Sequence, residues 1–315
     1  MASAPALEVT GLRKTFGDTI ALDGIDLSVR EGTVFALLGP NGAGKTTTVQ
    51  ILSTLIGADA GEVRVAGHDP AREPGAVRKV IGVTGQSVAV DGLLTGEENL
   101  TLMADLCHLG RSEGRRRTAE LLERFDLLDV AGKPAVTYSG GMRRRLDLAM
   151  TLMTDPRIVF LDEPTTGLDP RSRRTLWRTI RELVDEGVTI LLTTHYLEEA
   201  DRLADRVAVL DRGHLVVEGT PDELKRLVRG GHVRLRFADP RALDAAARTL
   251  PGSIRDDEAL ALQIPSDGEV VSLRAMLDRL DAASVDVERL EVHTPDLDDV
   301  FLALTGHAEQ GGEAA

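Results

Sequence analysis

The sequence predicts an α/β fold built on a parallel sheet, with a smaller α+β unit after it. Three observations carry that prediction. The runs at 34–38, 158–161 and 189–193 are continuously apolar or β-branched and are bounded by polar or Gly-rich residues. Strands buried on both faces read this way. Helical patterns follow them, notably 171–185 after the second run, and that alternation is the signature of a parallel sheet with crossover helices. A composition break at Arg229-Gly230-Gly231 then separates the first unit from the rest of the chain.

Taken in order, the first unit holds the strand at 34–38 and a wholly helical stretch from 97 to 128, read as helices at 97–109 and 112–125. The latter is an insertion between sheet strands. The strands at 158–161 and 189–193 come next, then two short runs, 206–210 and 215–218, about the turn Asp211-Arg212-Gly213-His214; they predict a hairpin. A helix over 221–227 leads to the linker. Beyond it the pattern reads strand 232–237, helix 240–250, strand 259–264, helix 270–282, strand 286–293 and a short helix at 297–304. The small, polar residues at 307–315 predict a disordered tail.

Composition excludes several classes. With 315 residues, 42% hydrophobic and 28% charged, the chain has the makings of a globular protein of two domains. No stretch approaches the roughly 18 apolar residues of a membrane-spanning helix, and Met1-Ala2-Ser3-Ala4-Pro5 has neither the basic region nor the apolar core of a signal peptide. A net charge of −14 argues against nucleic acid or an anionic lipid surface as a partner. From 229 to 315 there are nine Arg, no Lys and seventeen acids, so the second unit is itself acidic. The arginine runs 115–117 and 143–145 lie in helical patterns beside acids and are expected to be solvated helix faces. Cys107, the one cysteine, excludes an internal disulfide, fits a reducing compartment and is expected to be a small buried apolar residue.

The chemistry concentrates in three places. Gly39-Pro40-Asn41-Gly42-Ala43-Gly44-Lys45-Thr46 matches G-x-x-x-x-G-K-[ST] between a buried strand and a helix. Glycines let such a loop curl its N–H groups onto phosphate oxygens, and the helix start adds a positive dipole end. Lys45 is placed for the β- and γ-phosphates and Thr46 for Mg²⁺. The next residues, Thr47-Thr48-Val49, are weak helix formers, so local preference has yielded to function there. The strand at 158–161 ends in Asp162 and Glu163: Asp162 is expected beside Thr46, and Glu163 is placed to polarise an attacking water. Tyr138-Ser139-Gly140-Gly141-Met142 opens a helix and makes a second anion site, although alone it would read equally as a helix cap. One phosphate loop suffices for one triphosphate, so the second site implies a nucleotide held by another copy.

In this order of landmarks the chain resembles an ATP-binding cassette (ABC) transporter subunit over residues 7–227. The match covers the phosphate loop, Gln86, Ser139-Gly140-Gly141, the Asp162-Glu163 strand end, Gly167-Leu168-Asp169 and His195. Tyr138 and Met142 replace the usual Leu and Gln of the signature, as in drug- and antibiotic-exporter branches. The resemblance implies a P-loop NTPase core of RecA type, with an antiparallel amino-terminal β part and a helical subdomain at about 87–155. It implies domains at 1–228 and 229–306. It gives Phe16 the adenine-stacking role usually held by Tyr, though alone Phe16 would read as core. Gln86 becomes a contact to Mg²⁺ or the attacking water, Asp169 the loop that crosses a dimer interface, and His195 a γ-phosphate contact. ATP would be bound by Phe16, residues 39–47, Ser139, Gly140, Gly141 and Asp169. Lys45, Gln86, Glu163 and His195 would be catalytic, and Thr46, Gln86 and Asp162 would hold Mg²⁺.

The ending Glu291-Val292-His293-Thr294-Pro295, with 297–306, resembles daunorubicin/doxorubicin-resistance-type exporter ATPases, in which this appendage is associated with dimer stability and the permease. Val300, Phe301 and Leu304 form an apolar face at helical spacing, expected to pack on its own domain rather than on another subunit. The expectation is therefore an ATPase subunit, peripheral at the cytoplasmic face, that pairs with a second copy of itself and a separate permease. Export of lipid, polysaccharide or peptide is the alternative cargo. A ribosome- or DNA-acting cassette is disfavoured by the single phosphate loop and the absence of Cys pairs. A small-molecule sensor role for the second unit stays open.

Overall fold

The computed structural model describes residues 5–227, 231–266, 269–293 and 295–305. The disordered tail expected at 307–315 and linker residues 229 and 230 lie outside the described residues. The chain separates into two compact units, Met1–Pro221 and Asp222–Ala315.

The first unit opens with β1 (Leu7–Phe16), β2 (Thr19–Val29), β3 (Val34–Leu38), α1 (Lys45–Leu52) and β4 (Ala60–Val65). Next come α2 (Pro74–Arg78), β5 (Ile81–Thr84), α3 (Gly96–Leu106), α4 (Arg111–Arg124) and α5 (Gly140–Thr151). It closes with β6 (Ile158–Asp162), α6 (Pro170–Asp185), β7 (Thr189–Thr194), α7 (Leu197–Leu203), β8 (Arg206–Asp211) and β9 (His214–Gly219). The main sheet runs β5-β6-β7-β3-β8-β9, parallel except for β9, which pairs antiparallel with β8. Every residue of β3, β6 and β7 is buried, which explains their unbroken apolar runs.

A separate antiparallel sheet, β2-β1-β4, shares one core with the main sheet. Leu7, Leu12 and Ile25 from its strands pack in a cluster with Phe35 and Leu37 of β3, Val49 and Leu52 of α1 and Phe160 of β6. On α6, Leu176, Trp177, Ile180 and Leu183 are buried at the spacing of one helix face, with Thr179 buried beside them, and most of the arginines and acids lie on the other positions. The helix α3 starts with a reciprocal cap: the Glu98 N–H donates to Thr95 Oγ1, and Glu98 Oε2 accepts from the Thr95 N–H. Cys107 ends that helix half-buried rather than buried, and its burial pushes the thiol pKa up.

The second unit contains α8 (Pro221–Lys225), β10 (His232–Arg236), α9 (Pro240–Thr249), β11 (Ile254–Asp256), β12 (Ala261–Pro265), α10 (Val270–Ala282), β13 (Arg289–His293) and α11 (Leu297–Thr305). Its sheet runs β11-β12-β10-β13, antiparallel throughout. From β10 to β13 the elements run β-α-β-β-α-β, the split pattern of ferredoxin-like domains. Val233, Leu235, Phe237 and Leu262 from the sheet side meet Leu243, Ala246, Met276 and Leu280 of α9 and α10 in one core. On α11, Val300 is buried and Phe301 half-buried; the side chain of Leu304 lies outside what is described.

Candidate functional site

Strands β3, β6 and β7 are neighbours, and their carboxyl ends deliver the site. The Gly39–Thr46 loop leaves β3 toward α1. Two glycines are required by space. A Cβ on Gly39 would come within 2.2 Å of the Leu210 carbonyl oxygen, and Gly44, at φ +107, would bring one within 2.7 Å of the Ala21 oxygen. Lys45 is only 4% exposed. Its ammonium donates to the Gly39 and Pro40 oxygens at 2.7 and 3.0 Å and lies 3.9 Å from Glu163 Oε1. Burial pulls its pKa below the usual value, while the Glu163 and Asp162 carboxylates oppose that shift.

At the end of β6, Asp162 accepts from Thr46 Oγ1 at 3.2 Å and from the Thr193 hydroxyl. The same Thr193 oxygen accepts from the Glu163 N–H at 3.1 Å, so one β7 hydroxyl locks both acids. Glu163 sits at φ +47, a left-handed conformation costing a non-glycine residue about 1–3 kcal/mol. Its N–H also reaches the Thr193 carbonyl, so the turn is held from β7. The Glu163 carboxylate accepts from Gln86 Nε2 at 3.4 Å and Thr166 Oγ1 at 3.2 Å. His195 Nδ1 stands 3.2 Å from Glu163 Oε1 but without hydrogen-bond alignment. Lys45, Thr46, Gln86, Asp162, Glu163 and His195 are thus one connected group. The donor set beside the loop, the Thr46 hydroxyl against the Asp162 carboxylate with the Gln86 amide nearby, is hard oxygen chemistry suited to Mg²⁺.

The remaining candidates lie in the phosphate loop itself, at the end of β1 and at the starts of α5 and α6. Phe16 ends β1 and is 49% exposed, with the Lys14 ammonium 5.4 Å from its ring centre. Asn41, Gly42, Ala43 and Thr47 belong to the loop and the first turn of α1. Ser139 caps α5, its Oγ accepting from the Met142 N–H, and the first turn has Gly140 exposed and Gly141 half-buried. A Cβ on Gly141 would strike Ser172 Oγ at 2.4 Å. Ser172 is in turn held by Asp169, which caps α6 through the Arg171 and Ser172 N–H groups and the Ser172 hydroxyl. Those bonds hold the Asp169 carboxyl below its usual pKa, the Ser172 hydroxyl most of all. Among the described residues no hydrogen bond or ion pair joins the side chains of Ser139 or Asp169 to the Lys45 group.

The arginine run at 143–145 is not a solvated face, contrary to the sequence expectation. Arg143 is exposed, but Arg144 is 4% exposed and Arg145 is half-buried, with its guanidinium donating to the Phe125 oxygen. The Arg144 guanidinium donates to the oxygens of Pro164 (2.9 Å), Gly85 (2.8 Å) and Asp162 (3.3 Å) and to Asp147 Oδ2 (3.1 Å). Asp147 Oδ1 accepts from the Ala89 N–H at 3.0 Å. Burial pulls the Arg144 pKa down and pushes Asp147 up, each opposed by the other's charge. The missed signal was periodicity: Arg144 and Asp147 stand three apart on the face that also carries buried Leu148. In the run 115–117, Arg115 and Arg116 are exposed, and Arg117 is half-buried with its guanidinium on the Leu152 oxygen.

Comparison with known proteins fits this geometry. Residues 22–166 match the family model described as ABC transporter. A second model, the osmosensitive K⁺ channel His kinase sensor domain, matches 99–245; it begins beyond the phosphate loop and crosses from one compact unit into the other, so it describes no folding unit of this chain. A daunorubicin resistance ATP-binding protein of Streptomyces coeruleorubidus is 49% identical over 98% of this chain and 99% of its own. A daunorubicin/doxorubicin resistance ATP-binding protein of Streptomyces peucetius is 47% identical, covering 96% and 93%. Among solved structures, cbiO1 of Clostridium perfringens, part of the ABC transporter complex cbiONQ, superposes with a TM-score of 0.65 at 29% identity, covering 70% of this chain and 91% of that one.

Proposed function

The chain belongs to the ABC transporter family, and from that premise we propose that it powers drug efflux as one half of a nucleotide-sandwich dimer seated on a separate permease. It is an ATP-binding, ATP-hydrolysing subunit of a drug exporter. The observation that carries the catalytic reading is the convergence of Lys45, Gln86, Glu163 and His195 at the ends of β3, β5, β6 and β7. In this reading the loop N–H groups and Lys45 neutralise the phosphates, and Glu163 orients and polarises the attacking water for in-line displacement. His195, beside Glu163, is placed for the γ-phosphate. Thr46, Asp162 and Gln86 would hold Mg²⁺, whose charge would stabilise the phosphate oxygens. Phe16, exposed at the end of β1, offers its π face to adenine.

The Ser139-Gly140-Gly141 turn at the start of α5, exposed at Ser139 and Gly140, serves the nucleotide of a second copy. Its separation from the Lys45 group supports that reading. The γ-phosphate then gives contacts that both copies share, so ATP closes the pair and hydrolysis opens it. Ser139→Arg is expected to abolish turnover while leaving the nucleotide affinity of the isolated subunit within about threefold, since only contacts made at closure are lost. Equilibrium titration beside a phosphate-release assay checks this, and loss of affinity in step with turnover would reject the in-trans role.

Among the described residues no helix is long and apolar enough to cross a membrane; in this reading the permease is a separate chain and the subunit sits against it at the cytoplasmic face. The helical segment α3–α5 would carry the closing motion to it. The cargo is a drug- or antibiotic-like compound, and daunorubicin, named in the relatives, is the first to test. Co-purification from membranes should yield one integral membrane protein, and ATPase activity of that complex should rise with cargo. A subunit that never co-purifies with a membrane protein would sink the transport reading while leaving the ATPase intact.

A further inference from the structure

We propose that Arg144, paired with Asp147, is the positioning residue that couples the start of α5 to both the Gln86 loop and the Glu163 turn. The inference rests on the assignment of Gln86 and Glu163 above. It comes from where the buried pair spends its hydrogen bonds. Arg144 reaches the carbonyl just before Gln86 (Gly85), and Asp147 holds the N–H three residues after it (Ala89). Arg144 also reaches the carbonyls on either side of Glu163, those of Asp162 and Pro164. Each of the two groups that meet at the attacking water is therefore bracketed in sequence by one ion pair on one helix.

That helix is the one whose first turn is Ser139-Gly140-Gly141. Arg144 is four residues after Gly140, about one helical turn away. A rigid α5 cannot be drawn toward a second copy's nucleotide without pulling on Gly85 and on the Asp162–Pro164 turn. The geometry asks for arginine in particular. Nε, Nη1 and Nη2 all donate, in the plane of one guanidinium, to three separate carbonyls and a carboxylate. An ammonium is a single point donor and cannot span them. The Glu163 turn is also held at φ +47, a conformation that persists only where its surroundings over-determine it. Thr193 supplies that support from β7 and Arg144 from α5.

The test is a pair of variants, Arg144→Lys and Asp147→Asn, with turnover expressed per nucleotide-binding site titrated in the same sample. Expressing it so removes any unfolded fraction from the comparison. Nucleotide affinity should stay within about threefold, while kcat per titrated site in Arg144→Lys falls by roughly 10–100-fold, as misplacing catalytic groups by an ångström does. Asp147→Asn keeps an acceptor for the Ala89 N–H and should fall less. In a Glu163→Gln background, Arg144→Lys should also reduce the ATP-dependent dimer, because the helix no longer transmits closure. An unchanged kcat per titrated site in Arg144→Lys would overturn the proposal. So would loss of nucleotide binding together with turnover in both variants, since the pair would then serve folding alone. Retained hydrolysis in Glu163→Gln would instead sink the assignment on which the inference rests, whatever the Arg144 variants do.

Discussion

Lys45→Ala is expected to abolish ATP hydrolysis and to weaken nucleotide binding as well, the largest effect of any single substitution in the first unit. The ammonium is nearly inaccessible and is aimed by the Gly39 and Pro40 carbonyls. Its counter-charges are the Glu163 and Asp162 carboxylates, which already oppose the fall in its pKa. Removing the lysine therefore does more than delete one phosphate contact. It leaves two acids facing a polyphosphate across a buried loop, where charges are poorly screened. Loss of one preorganised group of this kind removes at least about 10²–10³-fold of turnover. Phosphate release and a nucleotide titration on the same preparation check both halves. Full activity would contradict the phosphate-loop assignment, and lost turnover with unaltered binding would confine Lys45 to the transition state.

How legible each feature is in the sequence depends on how it is encoded. The buried strands β3, β6 and β7 show as unbroken apolar runs because both faces are covered. The residue ranges inferred for them differ from the structure by no more than one position at their ends. The amino-terminal sheet is harder to see: β1 and β2 pair with several register shifts, which break the alternation that would announce a half-buried strand. In the second unit β11 is three residues long, too short to leave a period. The phosphate loop and the Asp162-Glu163 end were readable because their chemistry needs contiguous residues.

Periodicity marks the Arg144–Asp147 pair as inward-facing, but what the pair bonds to was not readable, for a complementary reason. Arg144 bonds the carbonyls of Gly85, Asp162 and Pro164, and any residue offers a carbonyl. Such a contact leaves no trace in the residue types of its partners. Three arginines in a row resemble a wet helix face until that periodicity is weighed. Thr193 escaped for the same reason, its hydroxyl joining Asp162 to the Glu163 N–H from a strand whose sequence reads as plain β.

Glu163→Gln should bind ATP, hydrolyse it slowly and accumulate as a nucleotide-loaded dimer. Glutamine has the shape of glutamate and keeps a side-chain oxygen that can accept from Gln86 Nε2 or Thr166 Oγ1. The turn at φ +47 is held through the backbone and Thr193 rather than through the carboxylate, so it should persist. What disappears is the negative charge and the ability to take a proton from water. General-base loss of this kind costs roughly 10²–10⁴-fold. Binding need not suffer, because Lys45 loses a carboxylate competitor at 3.9 Å and is freer to serve the phosphates. If the γ-phosphate bridges two copies, slowing its removal traps the closed pair, and the mass in solution doubles with ATP but not with ADP. Size-exclusion chromatography with light scattering reads that directly. Undiminished turnover would remove Glu163 from the mechanism. Lost turnover with a monomer that stays a monomer in ATP would keep Glu163 as the base and reject the sharing of the site by Ser139-Gly140-Gly141 of a second copy.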